Sequence, residues 1–195
     1  MKTLAPPGAP ETIRAASVLV LAPHFDDEVL GCGGLLAKLA QAGALVRVLF
    51  LTDSAGGAEA LPSGVDRESY RARRRAEADR AAAILGLTGI ECAELPDGAL
   101  LDHLDDAAAA IERACLTFHP ELLLVPSPLE ASGDHRAAFA ALHRLLAPLR
   151  EGAFGGGGID ERAERFADLR MLVYEVNRAA FPDVLVDVSA QAEVL

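Results

Sequence analysis

Residues 18–34 read VLVLAPHFDDEVLGCGG: an uninterrupted apolar run, then Pro23, a knot of polar groups at His24, Asp26, Asp27 and Glu28, and the glycines Gly31, Gly33 and Gly34. A Val/Leu run without polar alternation marks a strand buried on both faces of a parallel sheet. The acids that follow precede Val29, Leu30, Leu35, Leu36 and Leu39, whose spacing fits one face of a helix, and acidic side chains are favoured in a first helical turn. The stretch therefore predicts a strand, a tight turn and a helix, with the glycines letting the helix pack closely. In open α/β sheets the turns at the carboxyl ends of strands line the ligand crevice, and His24 and the acids fall on such a turn.

The same alternation continues along the chain. Residues 44–52 (ALVRVLFLT), 90–95, 121–126 (ELLLVP), 171–176 (MLVYEV) and 184–188 (VLVDV) predict further strands, and residues 67–85, 105–118 and 136–150 predict helices, the first of them closing at Gly86. Buried strands alternating with helices make the fold class α/β, a Rossmann-like three-layer sandwich around a mostly parallel central sheet. A chain of 195 residues fits one domain spanning 1–195. Residues 1–10 carry three prolines and predict an extended lead-in; residues 53–66, rich in Gly, Ser and Ala, form a candidate lid beyond the second strand. Residues 152–158 (GAFGGGG) predict a flexible loop or hinge before the segment 159–167.

Composition narrows the function. A net charge of −11 opposes a phosphate-tracking nucleic-acid binder, which would carry a basic stripe. No basic segment followed by an apolar one opens the chain, and no apolar stretch approaches the roughly 20 residues needed to cross a bilayer. Cys32, Cys92 and Cys115 are odd in number, lie in apolar surroundings and lack CxxC spacing, so they read as buried free thiols in a reducing, cytoplasmic setting. The residues leave the oligomeric state open.

One imidazole and two adjacent carboxylates on a short turn can bind a divalent cation and leave a carboxylate over. With His24 and Asp27 as ligands, Asp26 is free to take a proton from water. His135 follows the carboxyl end of the fourth strand and opens a helix, as His24 does, so both imidazoles face one crevice if the two strands are neighbours; it is the expected third ligand. His103 and His119 flank a helix without an acid-rich strand end and read as solvent-facing or capping residues. The arginines at 71, 74 and 75 read mostly as a solvated face, and Pro96-Asp97-Gly98 as a turn. The run VLGCGG has the look of a methyl-donor or nucleotide turn, but its glycines fall after the acids and miss the GxGxxG spacing.

PHFDDEVLGCGG resembles the His-Pro-Asp-Asp-Glu and Gly-Gly signature of the N-acetylglucosaminyl-phosphatidylinositol de-N-acetylase (LmbE-like, PIG-L) superfamily, with Phe25 in place of the usual proline. Ser132-Gly133-Asp134-His135 is similar to the family's second motif, His-Pro-Asp-His: Asp134 and His135 match, while Ser132 replaces the first His and Gly133 the Pro. The resemblance implies Zn2+, or another divalent cation such as Fe2+, on His24, Asp27 and His135, with Asp26 as general base and Asp134 behind His135. It also implies that Arg74, three residues before Glu77, faces the substrate and that Asp97 lies on the rim of the site. The implied reaction is removal of an N-acetyl group from an N-acetylglucosamine-type glycoconjugate. The family's first His is credited with helping the oxyanion or the leaving group; here that task is left to Asp26 alone, or shared with His103, His119 or Glu130. Ser132, together with an end at Leu195 where the family usually continues, keeps open a non-catalytic binding relative of the same fold. Tyr174-Glu175 resembles a family Tyr-Glu pair, though a strand tyrosine is more often core packing.

Overall fold

The computed structural model describes residues 12–56, 66–150, 166–177 and 182–195, without the side chains of 148–150. Five strands, β1 (Ser17–Ala22), β2 (Leu45–Thr52), β3 (Gly89–Leu95), β4 (Leu122–Pro126) and β5 (Arg170–Tyr174), form one sheet in the order β3-β2-β1-β4-β5. Every pairing in it is parallel. Four helices accompany the sheet: α1 (Asp27–Gln41), α2 (Arg67–Leu85), α3 (Leu104–Phe118) and α4 (Gly133–Arg150).

Alternation along the strands divides the core in two, because successive side chains of a strand point to opposite faces. Val18, Val20 and Ala22 of β1, with Val46, Val48 and Phe50 of β2, face Leu36 and Leu39 of α1 and Ala78 of α2. The intervening Leu19, Leu21, Leu49 and Leu51 face Ala107, Ile111 and Cys115 of α3 and Ala138 and Leu142 of α4. A strand with two apolar faces needs two apolar layers to cover it, so the continuous Val/Leu runs yield the three-layer α/β sandwich. Deleting a side chain from the middle of such a core, as in Phe50→Ala, typically costs about 3 to 5 kcal/mol.

The strand order places the site. From β1 the chain steps outward to β2 and β3, then returns across the sheet so that β4 pairs with the free side of β1. The crevice between the carboxyl ends of β1 and β4 is the point where the order reverses, the usual binding position in open sheets of this kind.

Helix ends follow local chemistry. Asp66 caps α2 by accepting the Ser69 amide at 2.8 Å, worth about 1 kcal/mol, and Gly86 closes that helix in the left-handed region at φ 75°. In α1 the glycines meet distant chain rather than strand β1. Gly31 lies against the Tyr174 ring, and a Cβ on Gly34 would come within 2.8 to 2.9 Å of the Val188 side chain.

Two expectations change. Residues 184–188 are not a strand: the segment runs extended past α1 and ends in a 3-10 turn, Ser189–Gln191, held by Lys38 Nζ donating to Asp187 O at 2.8 Å and by Gln191 Nε2 donating to Gln41 Oε1 at 2.8 Å. Val188 lies against Gly34 of α1 instead of joining a ladder, and Leu185 stays exposed. Helix α4 begins at Gly133, so His135 sits inside its first turn rather than before it. The lead-in 1–10, the glycine run 152–158 and residues 57–65 of the candidate lid lie outside the described residues, as does most of 159–167. Among the described residues, no helix is long and apolar enough to cross a membrane.

Candidate active site

Beyond β1 the chain turns sharply, with the Asp26 amide donating to His24 O at 2.9 Å. The end of β2 fixes this turn from the side: Thr52 Oγ1 donates to Pro23 O at 2.7 Å, and Ser54 Oγ accepts the Phe25 amide at 2.8 Å. A proline at position 25 has no amide hydrogen and could not make the second bond. The Phe25 ring is buried and meets Phe50 edge-on, 4.8 Å between centroids at 78°. The substitution in the motif thus exchanges a rigid turn residue for a hydrogen bond and an aromatic contact.

This turn and the start of α4 bring His24, Asp27 and His135 together. His24 Nδ1 lies 3.1 Å from Asp27 Oδ2, and His135 Nε2 lies 3.1 Å from Asp27 Oδ1. The three ligand atoms fall within 4.8 Å of one another, and the two imidazole centroids are 5.6 Å apart. Asp27 and His135 are buried, and the His24 amide also donates to Asp27 Oδ2 at 2.8 Å, which locks the carboxylate on the floor of the site. Two imidazoles and one carboxylate are a common donor set for zinc and related divalent ions, so the residues present fit such an ion.

A second ring of acids surrounds His24. Its Nε2 faces Asp97 Oδ1 and Asp134 Oδ2, each at 3.2 Å. Backbone amides hold both acids: Gly98 N at 2.7 Å and Leu100 N at 3.1 Å on Asp134, Gly56 N at 2.7 Å on Asp97. Asp134, expected behind His135, is turned to His24 instead, because the turn at residues 98–100 supplies the amides that aim it. The nearest acid to His135 Nδ1 is Glu130, with Oε2 at 3.5 Å.

The electrostatics follow from this crowding. Burial disfavours the charged form of His24, but hydrogen bonds to Asp134, Asp27 and Asp97 outweigh it and hold its pKa far above the ordinary histidine range. Burial would raise Asp27, yet His135 and His24 draw its pKa well down. Asp97, chiefly through its bond to His24, also lies below the usual range; Asp134 does too, its bonds to His24, Gly98 and Leu100 overcoming burial. A site this rich in carboxylate charge suits a bound cation. Glu28 takes no part in the crevice: it is buried, and burial, reinforced by Asp26 and Asp27, pushes its pKa up to about 7.

Above the floor lies a cavity of about 340 Å³ whose lining includes His24, Asp26, Arg74, Asp97 and Ser132. Asp26 is 45% exposed; its Oδ2 accepts from Arg74 Nη2 at 2.8 Å, and none of the described residues bonds its Oδ1. Arg74 also donates to Phe25 O at 3.1 Å and to Glu77 Oε2 at 2.7 Å. Its guanidinium therefore both borders the cavity and fixes the Asp26 carboxylate.

His103 pairs with Asp106 at 3.3 Å, and His119 closes α3 in the left-handed region at φ 56°; neither lines the cavity. Tyr174 is core, its hydroxyl donating to Leu21 O at 2.8 Å. The three cysteines are free, as their number suggested. Sequence reasoning missed Ser54, Tyr70 and Asn177 in the lining. Ser54 follows the carboxyl end of β2 and Tyr70 stands one helical turn before Arg74, so strand-end position and helical spacing were the available signals.

Residues 19–146 match the family described as PIG-L, GlcNAc-PI de-N-acetylase. A diacetylchitobiose deacetylase from Thermococcus kodakarensis is 32% identical over 124 residues, which is 62% of this chain and 45% of that protein. The chain thus spans under half the length of this relative. Among solved structures, the N,N'-diacetylchitobiose deacetylase of Pyrococcus horikoshii superposes with a TM-score of 0.70 at 22% identity, covering 92% of this chain and 67% of that one. A conserved protein from Thermus thermophilus superposes with a TM-score of 0.68 at 29% identity, covering 91% and 74%. The family match takes in both motif turns and four of the five strands, and the chain belongs to the PIG-L (LmbE-like) family.

Proposed function

We propose that the chain is a zinc-dependent N-deacetylase that removes the acetyl group from an N-acetylated amino sugar, free or conjugated, with His24, Asp27 and His135 as the metal ligands. The observation that carries this reading is the contrast between two adjacent acids. Asp27 is taken up by two imidazoles on the cavity floor, whereas Asp26 stands in the cavity with one oxygen that none of the described residues bonds. The family and its deacetylase relatives support the same chemistry.

A divalent ion on those three side chains supplies a Lewis acid and lowers the pKa of a water towards about 7. Asp26, fixed by Arg74, takes one proton from the attacking water through Oδ1 as the oxygen adds to the acetyl carbon. Collapse of the tetrahedral adduct breaks the C–N bond, and Asp26 returns that proton to the departing nitrogen, leaving the amine and acetic acid, which releases the water's second proton to solvent as it becomes acetate. Ser132 offers a hydroxyl that donates and accepts hydrogen bonds but does not ionise near neutral pH as an imidazole does, so we assign both transfers to Asp26. Asp97 and Asp134 orient His24 from behind, and Arg74 keeps its remaining donors for the sugar. The cavity volume suits a small polar ligand. Free thiols suit a reducing compartment, the cytoplasm.

The test is acetate release from N-acetylglucosamine and a panel of its conjugates by the zinc-loaded chain. Release that stops on chelation and returns with zinc is the expected result. Silence across the panel from a chain that holds zinc favours a non-catalytic binding relative, a second reading prompted by Ser132 in place of the family's His.

A further inference from the structure

Glu130 is a fully buried carboxylate in the loop between β4 and α4, and its surroundings are unusual for a group with no place in the donor set. Its Oε1 accepts the Val176 amide at 2.6 Å and the Asn177 amide at 3.2 Å, and its Oε2 accepts the Asn177 amide at 3.1 Å. Val176 and Asn177 follow β5 and line the cavity wall. The same Oε2 lies 3.5 Å from His135 Nδ1, a buried nitrogen that makes no hydrogen bond to any of the described residues. One side chain therefore reaches from a candidate metal ligand to a wall of the cavity where substrate would sit.

We propose that Glu130 is a positioning residue that couples metal loading on His135 to ordering of the Val176–Asn177 wall. The inference rests on the metal reading given above. A neutral imidazole that binds a cation through Nε2 carries its proton on Nδ1, and the carboxylate oxygen beside that nitrogen is Glu130 Oε2, 3.5 Å away. A buried donor without an acceptor is destabilising, so loading favours closing the short gap between the two groups. Closure fixes the Glu130 carboxylate, and with it the two amides that the carboxylate holds. By reciprocity, a ligand that packs against the wall and steadies Glu130 tightens the hold of His135 on the ion.

The experiment compares amide hydrogen exchange at Val176 and Asn177 in the metal-stripped and zinc-loaded full chain, alongside zinc affinity, for the parent and for Glu130→Gln. In the parent, zinc is expected to slow exchange at these two amides about tenfold, since exchange reports local opening. Glu130→Gln keeps an acceptor for the amides but removes the charge that His135 faces. It is expected to weaken zinc binding about 10- to 100-fold and to abolish the zinc-dependent slowing. A merely structural role would change protection equally with and without zinc. A parent that binds zinc without slowing these amides overturns the coupling whatever the variant does, and so does a Glu130→Gln chain that keeps the full zinc response. A parent that takes up no zinc overturns the metal reading and this inference with it.

Discussion

Arg74 Nη2 stands 2.8 Å from Asp26 Oδ2, so a helix that begins about forty residues later in the chain fixes the carboxylate that the donor trio leaves free. Asp26→Asn is expected to bind zinc as well as the parent while losing about 10² to 10⁴ in kcat, the usual loss for a general acid-base group. Steady-state kinetics with elemental analysis of the same sample checks it. A kcat near the parental value would move the base role to another residue.

Arg74→Ala leaves Asp26 without its partner and the cavity without the guanidinium on its border. Turnover is expected to fall through kcat as well as KM, whereas a residue that only gripped the substrate would raise KM alone. Full kinetic curves for Arg74→Ala beside Arg73→Ala, which removes an exposed arginine paired with Glu77, separate the two cases.

His24→Ala and His135→Ala each remove one donor from the trio and are expected to lose bound zinc, with dialysis followed by metal analysis as the readout. Full zinc retention in both variants refutes the ligand set. His103→Ala, whose imidazole pairs with Asp106 at the start of α3, is the control and is expected to keep the ion.

Ser132 lines the cavity where the family places an imidazole. Ser132→His is expected to raise kcat and to add a second ionisation to its pH profile, because a separate acid can then protonate the departing amine. An unchanged rate and profile would show that Asp26 already performs both transfers without loss.

Gly34→Ala tests the packing of the last segment. Alanine improves intrinsic helix propensity by about 1 kcal/mol, but the new Cβ would lie 2.8 Å from Val188 Cβ, and a β-branched side chain has little freedom to move aside. Overpacking of this kind costs about 1 to 3 kcal/mol, so the net effect is expected to be destabilising. Urea denaturation reads the sign directly.

The sheet was legible because its central strands are apolar on both faces, a pattern that survives without any knowledge of partners. Residues 184–188 misled for the same reason: VLVDV has strand composition, but Val188 lies against Gly34 of α1 while Leu185 stays exposed, and composition does not say which surface will cover a side chain. The meeting of His24, Asp27 and His135 was legible because both histidines lie just past a strand end at the start of a helix. The aim of Asp134 was not, since it depends on amides of Gly98 and Leu100, 36 and 34 residues away, that no local pattern ties to it. Ser54 was hidden by its lack of charge; Glu130 was named only as a possible stand-in for the missing histidine, and its contacts with the segment after β5 left no mark in the local sequence.

The two halves of the candidate centre are far apart in time as well as in sequence. His24 Nε2 and Asp134 Oδ2 meet across 110 residues. A ribosome adding about 5 to 20 residues per second needs roughly 5 to 20 s to bring the second half into being after the first. During that interval the nascent chain displays His24 and Asp27 with no β4 beside them, so the cluster that the proposed ion needs is complete only once synthesis has passed His135 and β4 has docked beside β1.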